Sequence, residues 1–500
     1  MQFARAVSVS VLLGFLSFGA AYGQFDQNDM AADLEKALTF TKYPTYGQYV
    51  EVMQHFAASY PEICRLDTFG TTEQGRLLLA LKISDNVHED EAEAGFFYTA
   101  AMHGDELAGY PLMLRLINHL LTGYGNDPGV SGLVDSLAIW INPLANPDGT
   151  YKGGDHTVAG AIRENDPPGN GPGYDLNRSF PDISRDEPDD TTGRPIENRF
   201  MMQFLQEHRF SLSANLHAGA EVVNYPWDWT YDRHPDDAWY QLVSRDYADE
   251  VHSVDPVYMT MENNGITHGA DWYIIQGSRQ DYVNYYLGGR EVTLELSYAY
   301  FLDSDSLESF WQKNQRSLLY YMTQATYGIR GRVTGSESGA PVAARVSVAG
   351  HDDLRSLVYS RAGHGDFYRF IKEGSYEVTF SAEGYMDRVF PGVRVSDYQA
   401  VYLFPTLDPV ADFNGPGPLA LPLRIWPNPV ADALHIDIPG NKEEIKTLQI
   451  TDLNGQIVLQ RKYDSPCHTL FLSCDSLPKG VYLIRLKTAE GCFISKLIKL

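Results

Sequence analysis

His103 and Glu106 stand three residues apart just after an apolar run, Gly95 to Ala101, where a strand gives way to a helix. That spacing can aim an imidazole and a carboxylate at one point above a sheet edge, although a surface His beside a solvated Glu is the plainer reading of the pair alone. His217 shifts the balance. It ends a second apolar run, Ser211 to Leu216, and is followed by Ala218-Gly219. Ligand sites on open α/β sheets lie outside the carboxyl ends of strands. Two His and one Glu, with a fourth position left to water, make the donor set of a hydrolytic zinc ion. His156, His208, His234 and His268 fall in loop or helix contexts and stay outside this set. Glu295 lies on a third apolar run, where an ionised carboxylate is costly without a task or a partner. Glu291 shares its face by the period of two and is read as structural.

These residues need a scaffold that brings strand ends together. Tyr49 to Ala58 reads as a helix, Leu77 to Ile83 and Gly95 to Ala101 as strands, and Leu107, Leu112, Leu114 and Leu120 as the apolar face of the helix that follows. Leu137 to Ile141, Phe210 to Leu216 and Glu291 to Leu296 fit buried strands, with a helix between Glu197 and His208. Strands alternating with helices predict an α/β mixed sheet covered by helices over residues 38–328. From Ile329 to about 405 the helical period vanishes and short alternating segments predict a β-sandwich. A linker at 406–420, containing Asn414-Gly415-Pro416-Gly417-Pro418, leads to a last all-β stretch, 421–500.

The 500 residues carry 39 Lys plus Arg against 65 Asp plus Glu, a net charge of −26 that disfavours nucleic acid and anionic lipid as partners. Residues 1–23 have Arg5, an apolar run and small residues at Ala21 and Gly23, the pattern of a cleaved signal peptide. The run is short against the roughly 20 residues of a membrane helix, so export without a transmembrane anchor is expected. Residues 24–37 read as a polar leader. Cys64 stands alone, and Cys467, Cys474 and Cys492 admit at most one bridge.

The strings His103-Gly104-Asp105-Glu106, Asn146-Pro147-Asp148-Gly149, Tyr174 to Pro181, Asn224-Tyr225-Pro226-Trp227-Asp228, Gly265 to Tyr273 and Thr293-Leu294-Glu295-Leu296-Ser297 come in one order. In that order the chain resembles the zinc metallocarboxypeptidases, and more narrowly their carboxypeptidase N/E/D-like branch, over about residues 40–405. The resemblance implies a carboxypeptidase fold followed by a transthyretin-like sandwich, and one zinc ion on His103, Glu106 and His217. It also implies Glu295 as general base, Asn177 and Arg178 as holders of the substrate carboxylate, and Tyr273 as the tyrosine that closes over substrate. Arg163 matches the arginine that stabilises the developing oxyanion. Asp228 and Gln280 fall where that branch places two polar residues of a pocket for a basic side chain, so substrates ending in Lys or Arg are expected. Arg279, where the family more often has an apolar residue, is read as pointing to solvent.

The last stretch holds Trp426-Pro427-Asn428-Pro429, Ile450 to Gly455, Leu477 to Tyr482 and the terminal Lys496-Leu497-Ile498-Lys499-Leu500. It resembles the C-terminal sorting domain of the type nine secretion route, which implies the secretion machinery as a partner and a secreted or surface-attached product. The expected activity is release of single residues from peptide or protein C-termini by a monomer. Two rivals remain: a cell-wall peptide peptidase or amidase of the same fold, and a catalytically silent surface binding protein. The presence of Glu295 and all three ligands favours an active enzyme over the silent form.

Overall fold

The computed structural model describes residues 25–165, 173–353, 355–410, 424–437, 445–452, 457–463, 469–474, 477–488 and 492–500. They form two compact units that divide between Val410 and Ala411. The segment read as a signal peptide, the connector Asn414 to Pro418 and Cys467 lie outside the described residues.

The first unit is built on an eight-stranded sheet. Its strands are β1 (Cys64–Thr71), β2 (Leu77–Ile83), β3 (Ala94–Ala100), β4 (Leu137–Asn142), β5 (Leu212–His217), β6 (Ala220–Tyr225), β7 (Ile266–His268) and β8 (Arg290–Ser297). They lie in the order β1-β2-β4-β3-β5-β8-β6-β7. The central pairs β4–β3, β3–β5 and β5–β8 are parallel, whereas β1–β2, β2–β4 and β6–β8 are antiparallel. Parallel strands buried on both faces read as continuous apolar runs, which is why β3, β5 and β8 stand out in the sequence.

Helices cover the sheet. Thr45 and Gln48 form a reciprocal capping box that starts α1 (Tyr46–Ser59), whose Tyr49, Val52, Met53 and Phe56 repeat at helical spacing and are buried. The helix α2 (Gly109–Gly123) starts without a side-chain cap and seats its first residue against the sheet. A Cβ on Gly109 would lie 3.0 Å from Ala100 Cβ and 3.1 Å from Leu216 Cβ, so the glycine lets α2 lie close over the ends of β3 and β5. Further cover comes from α3 (Ile196–His208), α4 (Asp237–Val254) and α6 (Leu307–Thr323), with the single-turn α5 (Arg279–Tyr282) between them in chain order.

Residues 25–45, read in part as a polar leader, are folded onto this core. Met30, Ala31, Ala37, Phe40 and Tyr43 join the main apolar cluster. Ser304 N–H donates to Asp29 Oδ1 at 2.8 Å and Tyr43 Oη donates to the Leu302 carbonyl at 3.0 Å, tying this segment to the loop after β8.

The sandwich belongs to the same unit. One sheet holds Val358–Tyr359, Arg345–Val348, Gly374–Ser381 and Arg388–Val395, and the other holds Asp366–Arg369, Gly328–Arg332 and Ala400–Leu403. Ile329, Val346, Val348, Phe367, Val378 and Phe380 fill the space between them. Where it meets the catalytic sheet, the fully enclosed Asp236 accepts from Arg290 Nη2 and Arg369 Nη1, each at 2.8 Å. The second unit is all-β, with sheets of three and four strands around Leu434, Ile436, Ile450, Ile484 and Leu486. No helix among the described residues is long and apolar enough to cross a membrane. Cys64 is a buried free thiol, and Cys474 is buried with its Sγ 3.8 Å from the Leu472 carbonyl oxygen.

Candidate metal centre and active site

The chain leaves β3 through Ala101, whose φ of 53° is left-handed and turns it toward the sheet edge. Asn146 holds this turn from below, its backbone N–H donating to Ala101 O at 3.0 Å and its Nδ2 to Met102 O at 3.1 Å. Gly104 has no room for a side chain, since a Cβ would lie 2.5 Å from both the Gly149 carbonyl carbon and the Ile162 carbonyl oxygen. That close approach carries the neighbouring Arg163 to the ligands. Glu106 lies between strand and helix as expected, but the helix read as including Leu107 begins at Gly109.

His103, Glu106 and His217 are buried and converge. Glu106 Oε1 is 2.7 Å from His103 Nδ1, Glu106 Oε2 is 2.8 Å from His217 Nδ1, and the two Nδ1 atoms are 3.1 Å apart. Zn–N bonds of about 2.0 Å place tetrahedral donors a little over 3 Å apart, so the set fits zinc. The outer nitrogens are held as well. His103 Nε2–H donates to Asp175 Oδ1 at 3.0 Å, which leaves Nδ1 with its lone pair toward the ion. The Asn215 amide lies 2.7 Å from His217 Nε2. As placed, its nitrogen faces the ring and its Oδ1 has no donor; a half-turn of the amide lets Oδ1 accept Nε2–H and frees Nδ1 as a ligand. Burial holds His217 below its ordinary pKa, which favours the neutral, ligating imidazole. Burial opposes ionisation of Asp175, yet His103, Arg178 and Arg163 together hold its carboxyl below the usual range.

Glu295 enters from β8 in register with His217 on β5. Burial, reinforced by the neighbouring charge of Glu106, pushes its carboxyl well above the usual range. Its Oε2 has no hydrogen-bond partner, an orphaned buried acceptor in the cleft.

His103, Glu106, Arg163, Asn177, Arg178, His217, Asp228, Tyr273 and Glu295 all line one cleft of about 200 Å³. Arg163 Nη1 donates to Glu106 Oε1 at 2.7 Å and its Nε to Asp175 Oδ2 at 3.3 Å. Asp175 also caps the turn that presents Asn177 and Arg178, accepting Asn177 N–H at 2.9 Å. Asp228 is 1% exposed and its Oδ1 accepts from Asn224 Nδ2 at 3.0 Å and Gln280 Nε2 at 3.1 Å. Gln280 stands behind Asp228 rather than on the cleft wall. Burial raises the Asp228 carboxyl despite those donors. Tyr273 is 43% exposed at the mouth.

Arg279 departs from expectation. It is fully buried instead of pointing to solvent, and it pairs with Glu291 at 2.7 Å, not with Asp228. The carboxylate is a stronger attraction than water once the turn is packed against the sheet. Asp175, Asn215, Asn224 and Tyr300 are cleft or backing residues that the sequence reading passed over. Asn215 had a legible signal, a polar residue two before His217 on an otherwise apolar strand.

Residues 49–317 match the zinc carboxypeptidase family, more than half of the chain, and the chain belongs to that family. Residues 424–500 match the secretion system C-terminal sorting domain. Among curated relatives, human carboxypeptidase D is 36% identical over 349 residues, 67% of this chain but 24% of that protein. The chain thus spans about a quarter of the length of that relative. Carboxypeptidase SOL1 of Arabidopsis thaliana is 33% identical over 69% of this chain and 68% of its own length. Mouse carboxypeptidase M is 33% identical over 67% of this chain and 76% of its own length. The fold is shared with the solved thrombin activatable fibrinolysis inhibitor, at a TM-score of 0.52 and 17% identity over 60% of this chain and 78% of that one.

Proposed function

We propose that the protein is a zinc-dependent exopeptidase that releases single C-terminal residues, with preference for Lys and Arg. What supports this most is one cleft lined by the ligand triad, by Glu295 and by the carboxylate-binding pair Asn177 and Arg178. When bound, the ion supplies Lewis-acid activation of the attacking water and the scissile carbonyl.

The chain's own residues do the rest. Arg178, with the Asn177 amide beside it, holds the terminal carboxylate of the substrate through charge-assisted hydrogen bonds. This fixes the last peptide bond over the reaction centre and excludes internal bonds. Glu295 takes a proton from the attacking water and delivers it to the leaving amine; its raised affinity for protons suits both halves of that transfer. Arg163 faces the developing oxyanion, and Tyr273 closes over the bound end. Asp228 receives the substrate's cationic side chain, which restores to a buried carboxylate the partner that burial denies it.

The test is hydrolysis of peptides ending in Arg, Phe and Glu, with and without a strong chelator. Arg-ended peptides should be cleaved fastest, chelation should stop all cleavage, and Asp228→Ala should lower the Arg-ended rate selectively. Equal rates for Phe or Glu ends would remove Asp228 from the pocket. Activity that survives chelation would remove the metal.

We further propose that residues 1–23 direct export and that the sorting unit carries the enzyme to the cell surface, consistent with the match at 424–500. Mass spectrometry of surface-attached protein should find residues 1–23 absent.

A further inference from the structure

The turn behind the pocket carries a buried cation that has no part in the chemistry above. Arg279 Nη2 donates to Glu291 Oε2 at 2.7 Å, and its guanidinium carbon lies 5.0 Å from the Phe97 ring centroid. Glu291 Oε2 also accepts Ser213 Oγ–H at 2.6 Å. Ser213 and Glu291 are register partners on β5 and β8, and the same two strands pair His217 with Glu295 further along. One end of the ion pair is therefore anchored on the strands that deliver a metal ligand and the base.

The other end is α5, which touches the substrate-binding wall three times. Arg279 N–H donates to Asn177 Oδ1 at 2.9 Å, which turns the amide's NH₂ away from the backbone. Gln280 Nε2 donates to Asp228 Oδ1 at 3.1 Å. The Asp281 carboxylate accepts the backbone N–H of Asp228 and of Trp229, each at 3.0 Å. Asn284 adds a neutral link, its Nδ2 donating to Gln280 O at 2.8 Å and Glu291 O at 3.0 Å. A buried ion pair adds little net stability over apolar residues of similar volume, but separating its two charges leaves each uncompensated, so the pair resists being pulled apart.

We propose that the Arg279–Glu291 pair is a positioning device that sets the separation between the reaction centre and the groups holding the substrate's terminal carboxylate and side chain. The proposal rests on the exopeptidase reading above. A wall displaced by even an ångström binds substrate poorly and misplaces the scissile bond.

The test compares Arg279→Met, Arg279→Lys and the double variant Arg279→Met/Glu291→Leu, which removes both charges and strands neither. KM and kcat for peptides ending in Arg and Ala, bound zinc, Tm and calorimetric affinity for free arginine are measured on each. Expected for the double variant is a parental Tm, full zinc, and a KM raised about tenfold for both peptides, because Asn177 serves every C-terminus. Arginine affinity should weaken by a similar factor, and Arg279→Lys should hold KM within about threefold of the parent. A folded double variant with parental KM and parental arginine affinity overturns the proposal, as does a Lys variant no better than Met. If the parent cleaves no peptide yet binds arginine, the exopeptidase reading falls while the arginine affinities still decide positioning; if it does neither, both fall.

Discussion

Glu295 sits in the cleft as a carboxyl whose ionisation is opposed by burial and by Glu106. Glu295→Gln keeps shape and volume but cannot carry a proton between water and amine. It should retain zinc and Tm while turnover falls by about 10² to 10⁴, read by single-turnover hydrolysis beside metal analysis. Near-normal turnover would place the base elsewhere. The ligand set was legible because its two His and one Glu followed the ends of two apolar runs. Asp175 and Asn215 were not, because they act through the far nitrogen of an imidazole and nothing in their spacing declares the ring between them. Arg279 was misjudged for a different reason: a long basic side chain on a turn ordinarily reaches water, and its acceptor Glu291 meets it only after the turn folds onto β8.

Among the elements, β3, β5 and β8 were legible as apolar runs, and α1 by its helical spacing. β1 and β6 were not, because Arg65, Asp67 and Thr68 in one and Glu221 and Asn224 in the other break the apolar run, and pairing with β2 and β8 decides their state. The helix α3 shows a strain of its own. Glu197 in its first turn is 5% exposed, and burial, with Asp148 and Glu73 adding repulsion, pushes its carboxyl up to about 7 from 4.5. The folded state therefore binds this proton more tightly than the unfolded chain. Its contribution to stability is full below about pH 4.5 and is lost as pH rises through 7. Glu197→Gln should raise stability by about 3 kcal/mol at pH 8 and leave it unchanged at pH 4, as measured by urea unfolding at both. An equal gain at the two pH values would mean that ionisation is not the cause.

At the scale of the molecule, one sheet of the sandwich and the catalytic sheet meet at the enclosed charges of Asp236, Arg290 and Arg369. Asp236→Ala leaves two buried cations without their shared acceptor and should cost about 3–5 kcal/mol. Because the group bridges both, the loss should appear as one transition shifted for the whole unit; a separate early transition confined to the sandwich would show that the sandwich stands alone. The sequence pattern had marked the sandwich by its change of period, but not this junction, whose residues lie far apart along the chain. The strand order carries a further consequence. β8, which carries Glu295, is inserted between β5 and β6, both made earlier in the chain. A growing chain thus reaches His103, Glu106 and His217 before Glu295, and β6 and β7 can join the rest of the sheet only once β8 has been added.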